Sequence, residues 1–322
     1  MLSIHNIAYQ GVYPPSSLAT LGIGAEWFNP ETLEFYGALN LLKGGIATAH
    51  ALTTVSPRYA QEIQTAEFGE RLEGVLRRHA GKLTGILNGI DMDLWNPATD
   101  PDLPFHFSVD EMAGKAANRR YILEMARMDP DDPHPLFVAV SRLVTQKGFD
   151  LVAELIPYLA SRNVRFILLG RGADAMEQRF HELERWHWPH FRFHPHHDMA
   201  LSHTLYAAGD AVLMPSRWEP CGLTQLYGMR YGTVPIVRAV GGLRDTVVAT
   251  TQRTLSEGTA NGFAFEHDTV TGLQWAVDRA LDTFYTAPET WRDIQKTGMR
   301  RNSAWHGAAE QYLQVYRRIL GR

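Results

Sequence analysis

The sequence predicts an α/β protein with two parallel-sheet domains, the second of them doubly wound. Three observations carry that reading. From residue 136 onward, short apolar runs rich in β-branched and aromatic side chains alternate with segments of helical length and period, the pattern of strands joined by crossover helices. A stretch with three prolines in nine residues, 96–104, has no apolar periodicity and reads as a linker. A length of 322 residues points to about two domains.

In chain order, a strand at 2–7 is followed by an irregular loop. A helix at 33–48, a strand at 52–55, one or two helices and a strand at 83–87 complete the first domain, 1–103. Three parallel strands leave a bare edge and an apolar face, so this domain is expected to be incomplete at its front. The second domain, 104–302, carries strands at 136–140, 166–169, 191–193, 211–214, 235–237 and 262–265 with helices between them. The clearest helix is 270–284, where Leu273, Ala276, Val277, Ala280, Leu281 and Phe284 share one face. The break at 130–135 is a helix-to-strand loop. A last helix, about 308–320, aligns Ala309, Tyr312, Tyr316 and Ile319.

Composition narrows the function. The hydrophobic share is 45% and the charged share 20%, enough for a substantial core. A net charge of -4 gives no general affinity for nucleic acid or an anionic membrane. The one cysteine, Cys221, excludes an internal disulfide and fits a reducing compartment. No apolar run is long enough to span a bilayer, and residues 1–6 lack the basic start and apolar core of a signal peptide. The expected location is the cytoplasm.

The residues that point to chemistry follow predicted strands. After 211–216 comes Arg217-Trp218-Glu219-Pro220-Cys221-Gly222-Leu223-Thr224-Gln225. It sets one carboxylate, Glu219, beside the backbone N–H groups of a helix start, where the dipole favours anions. A ligand with both hydroxyls and phosphates, such as a nucleotide-sugar, suits that pairing; a capped strand-turn-helix unit reads equally well from this stretch alone. Ser141, Arg142 and Lys147 follow the strand 136–140, at the carboxyl edge where open parallel sheets bind ligands. Two fixed cations suit a diphosphate whose negative charge grows as a bond to it breaks. Asn88 sits on an Asn-Gly turn after 83–87 and would reach a sugar hydroxyl. Gly170 and Gly172 form half a dinucleotide fingerprint without its third glycine, so a nicotinamide site is not expected there. Six histidines, His187, His190, His194, His196, His197 and His203, crowd one region without the spacing of structural zinc sites; His197 would stack on a nucleobase. Cys221 has no legible histidine partner and is read as a small residue lining the pocket.

Together these stretches resemble bacterial glycogen synthase, the glycosyltransferase family that includes plant starch synthases. The resemblance rests on His5-Asn6-Ile7-Ala8-Tyr9-Gln10-Gly11, Lys43-Gly44-Gly45, Thr54-Val55-Ser56-Pro57, Leu87-Asn88-Gly89-Ile90-Asp91, Ser141-Arg142-Leu143 with Gln146-Lys147-Gly148, and Pro215 through Gln225. It implies two Rossmann-like domains of the GT-B type, with a C-terminal helix, 303–322, returning to the first. It implies transfer of glucose from ADP-glucose to the non-reducing end of an α-1,4-glucan, with retention, without a metal or cofactor. Carried over by motif, Arg142 and Lys147 neutralise the departing ADP, Glu219 holds sugar hydroxyls, the N–H groups of Gly222, Leu223 and Thr224 hold phosphate or sugar, Asn88 contacts glucose, and His197 takes the adenine-stacking place beside Asp198. The family's Lys-x-Gly-Gly-Leu loop and His-Ala-His-Asp-Trp-His segment do not occur in this sequence, and Ser303-Ala304-Trp305 stands where Phe-Ser-Trp is usual. Two alternatives follow: an impaired ADP-binding remnant, or another retaining nucleotide-sugar transferase; very weak or no glucan elongation is expected of this chain alone, and a separate chain supplying the missing N-terminal part is a further expected partner. A disaccharide-forming relative would carry a second glutamate eight positions after Glu219, where this chain has Tyr227.

Overall fold

A computed structural model describes residues 1–321. The chain divides into two compact units, one of residues 1–89 with 305–322 and one of residues 90–304.

In the first unit, β1 (Leu2–Ile4), β5 (Leu52–Thr54) and β6 (Leu83–Gly85) form a parallel sheet in the order β1-β5-β6. The expected helix at 33–48 is only half present. Residues 34–40 instead make a hairpin of β3 (Glu34–Phe35) and β4 (Ala38–Asn40), which pairs with β2 (Val12–Tyr13) in an antiparallel sheet. The turn decides this. Tyr36 and Gly37 both have positive φ, 51° and 82°, the backbone that closes tight hairpins and breaks a helix. The helix then starts at Leu41, where the Asn40 side chain caps the Lys43 N–H at 2.9 Å. The last helix, Trp305–Ile319, packs Ala308 and Val315 into a small core with Ala51 and Ile86.

The second unit is one six-stranded, wholly parallel sheet of β7 (Leu136–Val140), β8 (Arg165–Leu169), β9 (Phe191–His194), β10 (Ala211–Met214), β11 (Val234–Arg238) and β12 (Phe263–Phe265). The spatial order is β12-β11-β10-β7-β8-β9. Renumbered within the unit, that is the 3-2-1-4-5-6 order of a dinucleotide-type fold, whose order reverses between its first and fourth strands. Here those strands are β7 and β10. Both are buried on each face, so they read as continuous apolar runs. Phe137, Phe166 and Leu213 pack with Phe180 and Trp291 in the central core.

The unit boundary falls at 89/90, not at 103/104, and 96–104 is no free linker. Trp95, Asp100, Leu103 and Phe107 are all buried in the second unit. Arg230 holds this segment by donating to the Trp95 carbonyl at 2.9 Å and to the Asn96 side chain at 3.2 Å. At the other end, the Ile90 N–H donates to the Ser303 carbonyl at 2.8 Å.

Candidate functional site

The carboxyl ends of β7 and β10 flank the crevice where the sheet order reverses. Ser141 and Arg142 leave β7 directly. Residues 145–147 then form a single 3-10 turn, and Gly148 follows at φ 68°. A Cβ there would lie 2.1 Å from the Pro215 carbonyl oxygen, so glycine is what lets the loops after β7 and β10 touch. Across that contact, Lys147 Nζ lies 2.5 Å from Glu219 Oε2. The Ser216 hydroxyl donates to the same oxygen at 3.0 Å. Glu219 is 5% exposed, and a carboxylate so buried requires such partners.

Beyond Glu219 the turn continues through Gly222, at φ 71°, into the helix Thr224–Arg230. The Gln225 side chain folds back and donates to the carbonyls of Cys221 and Gly222 at 3.1 and 2.9 Å. This fixes the turn while the N–H groups of Gly222, Leu223 and Thr224 donate to no protein group among the described residues. Three adjacent free N–H groups beside a half-buried lysine form a ready cradle for an anion.

Next to this cradle lies a cavity of about 360 Å³ lined in part by Ser141, Arg142, His197, Thr224, Tyr227 and Trp95. Arg142 and His197 are exposed at its edge. Gly170 also lines it. Side chains at Gly170 and Gly172 would strike the carbonyls of Ser141 and Leu143 at 1.9 and 2.2 Å, so these glycines serve close packing of adjacent strand ends.

Four predicted residues, Ser141, Arg142, His197 and Thr224, line the cavity. Lys147, Glu219, Cys221, Gly222 and Leu223 lie on the adjoining loops, with Cys221 buried beneath the turn. Asn88 belongs to the first unit, on the turn after β6. Sequence reasoning missed Trp95 and Tyr206 and valued Tyr227 only as an absent glutamate. Trp95 stacks on Tyr227 at 3.7 Å between ring centroids and on His203 at 3.8 Å. His203 Nδ1 in turn lies 2.6 Å from Asp100 Oδ2, which also accepts from the Tyr231 hydroxyl. Of the six histidines, only His203 is fully buried. Asp100, Asp102 and His203 form the one trio with metal-compatible spacing among the described residues, but Asp100 Oδ2 is already taken by two hydrogen bonds, so the trio reads as a structural network.

Comparison with known proteins decides the family. Residues 1–78 match the family described as starch synthase catalytic domain, and residues 124–296 match glycosyl transferases group 1. Glycogen synthase of Roseobacter denitrificans is 43% identical over 321 residues, covering 100% of this chain and 67% of the relative. The chain belongs to the glycogen synthase family. Glycogen synthase 2 of Geobacter sulfurreducens is 45% identical over 317 residues, covering 98% of this chain and 65% of its own. The catalytic domain of starch synthase IV from Arabidopsis thaliana, solved with ADP and acarbose, superimposes with a TM-score of 0.94 at 36% identity, over 99% of this chain and 66% of that one. The chain thus spans about two thirds of the length of the curated relatives it matches. Membership makes it a hexosyltransferase of the GT-B class, acting in glycogen synthesis.

Proposed function

We propose that this glycogen synthase family chain transfers glucose from ADP-glucose to the non-reducing end of an α-1,4-glucan, with retention and without a metal. The observation that carries the reading is the convergence, at the β7/β10 switch point, of three free N–H groups, the Lys147–Glu219 pair and an aromatic-lined cavity. A nucleoside diphosphate sugar has one part for each. The base would lie in the cavity against His197. The diphosphate would meet Lys147, Arg142 and the N–H groups of Gly222, Leu223 and Thr224. The sugar hydroxyls would bond Glu219.

When the bond from glucose C1 to the phosphate oxygen breaks, the electron pair leaves with ADP. Negative charge grows on the β-phosphate, and fixed donors aimed there stabilise the transition state more than the ground state. The acceptor hydroxyl forms the new C1–O bond, and its proton passes to the departing phosphate. Adenine as the base is supported by the Arabidopsis relative, whose structure holds ADP. The single thiol at Cys221 supports a cytoplasmic setting.

The test is incorporation of labelled glucose into glycogen by the purified chain, offered ADP-glucose or UDP-glucose at equal concentration. Incorporation from ADP-glucose into chains cleaved by an α-1,4-specific hydrolase is the expected result. No incorporation, or preference for UDP-glucose, would overturn the reading or its donor.

A further inference from the structure

Arg217 lies two residues before Glu219, at the meeting point of three loops. Its guanidinium makes a two-pronged bond to Asp150, Nη1 to Oδ1 and Nη2 to Oδ2, both at 2.7 Å. Nε lies 3.0 Å from Asp268 Oδ2, and Nη1 also donates to the Thr145 carbonyl at 2.8 Å. The backbone continues the clamp. The Arg217 N–H donates to the Gln146 carbonyl at 2.8 Å, and the Arg217 carbonyl accepts from Arg238 Nη1 at 2.6 Å. Gln146 Nε2 donates back across the same gap to the Trp218 carbonyl at 3.1 Å.

The anchors Thr145 and Gln146 on the first loop, and Asp150 in the first turn of the helix Phe149–Ser161 that follows it, bracket Lys147. The anchor on the second is Arg217 itself, beside Glu219. Asp268 lies on the loop after β12. A lysine is a flexible point charge, so its ammonium rests on Glu219 only while the two loops keep their register. The planar fork of arginine suits that task, because two parallel bonds fix orientation as well as distance. With 23% of its side-chain surface exposed, Arg217 is partly shielded from solvent.

We propose that Arg217 is a positioning residue of the diphosphate site, locking the loops after β7, β10 and β12 so that Lys147 and Glu219 meet the ligand without further rearrangement. The proposal rests on the nucleoside diphosphate reading given above. It predicts that Arg217 acts through Lys147, a coupling that a general stabilising ion pair would not show.

The experiment is a double-mutant cycle read by calorimetry with ADP and AMP, alongside thermal melting of each variant. In the Lys147 chain, Arg217→Ala should weaken ADP binding about tenfold; in a Lys147→Ala chain it should change it less than about twofold. AMP affinity should hold in every variant, and Arg217→Lys should not restore ADP affinity. Should Arg217→Ala fail to fold, Asp150→Asn leaves the guanidinium its Asp268 and Thr145 contacts and enters the same cycle. Additive losses, an unchanged ADP affinity, or equal losses for AMP and ADP would overturn the positioning role. Absence of ADP binding by the unaltered chain would instead remove the diphosphate reading, and this inference with it.

Discussion

The two ends of the six-stranded sheet each hold a lysine, and they treat it in opposite ways. At the amino end, Lys115 is 6% exposed, and its Nζ lies 3.1 Å from the Ala207 carbonyl, 2.9 Å from the Tyr231 carbonyl and 3.0 Å from the Thr233 hydroxyl. Burial pushes its ammonium down to about 7. At the carboxyl end, Lys147 is half-buried and paired with Glu219 across two loops. Where carbonyls converge, a cation is consumed by the fold. At the carboxyl end the neighbouring N–H groups of Gly222, Leu223 and Thr224 have no protein acceptor among the described residues, and the cation on the adjoining loop is proposed to serve a ligand. The position of a charge relative to strand ends and helix ends decides its use, not its residue type.

The largest expected effects come from exchanging the two roles. Lys115→Met leaves buried carbonyls without a donor and should cost about 2–3 kcal/mol of stability, read as a lower denaturation midpoint. Glucosyl transfer per folded molecule should be unchanged. Lys147→Ala takes the ammonium from the buried Glu219 carboxylate and should cost about 1–3 kcal/mol of stability, but unlike Lys115→Met it should also lower kcat per folded molecule by about a hundredfold to a thousandfold. A folded Lys147 variant that keeps its turnover, or a folded Lys115 variant that loses it, would break the comparison.

A smaller effect sharpens the carboxyl-end account. Trp95 stacks on Tyr227 and on His203 and lines the cavity beside the Glu219 turn. Trp95→Leu keeps much of the buried area but loses the stacking, and should cost about 1–2 kcal/mol with a matching loss of ADP affinity. Loss of stability with full ADP affinity would confine Trp95 to a structural role.

The smallest effect is a pH dependence. Hydrogen bonds from the Arg217 guanidinium hold the Asp150 carboxyl below the usual carboxylate range. A group with a depressed native pKa stabilises the fold above its unfolded value of 3.8, and that stability is lost as pH falls through the native value. Asp150→Asn should therefore cost about 1 kcal/mol near pH 7, allowing for solvent screening. The difference from the unaltered chain should close as pH falls below about 4. A pH-independent difference measured by urea titration would contradict the ion-pair account.

Much of the second unit was legible because its strands are buried on both faces. Continuous apolar runs such as 136–140 and 211–214 mark themselves, and β7 through β12 lie within a residue or two of their expected positions. The first unit was less legible. Its hairpin depends on two positive φ angles at Tyr36-Gly37, which helical periodicity concealed. The 96–104 stretch misled for a different reason. Its prolines signal a break, but Trp95 and Asp100 are buried by partners such as His203, 103 residues beyond Asp100, and no local pattern announces contacts at that range. The same holds at the site. Their places after strand ends brought forward Lys147 and Glu219 on one edge of the sheet, while their contact, 72 residues apart in sequence, and the clamp at Arg217 emerge only when the loops after β7 and β10 are folded together.

The most direct test is a crystal structure of the chain soaked with ADP. Phosphate oxygens are expected about 3 Å from Lys147 Nζ and from the N–H groups of Gly222 and Leu223. Diphosphate bound instead at the amino end of the sheet, in the cavity of about 340 Å³ lined by Lys115, Arg119, Arg292 and Lys296, would contradict that placement.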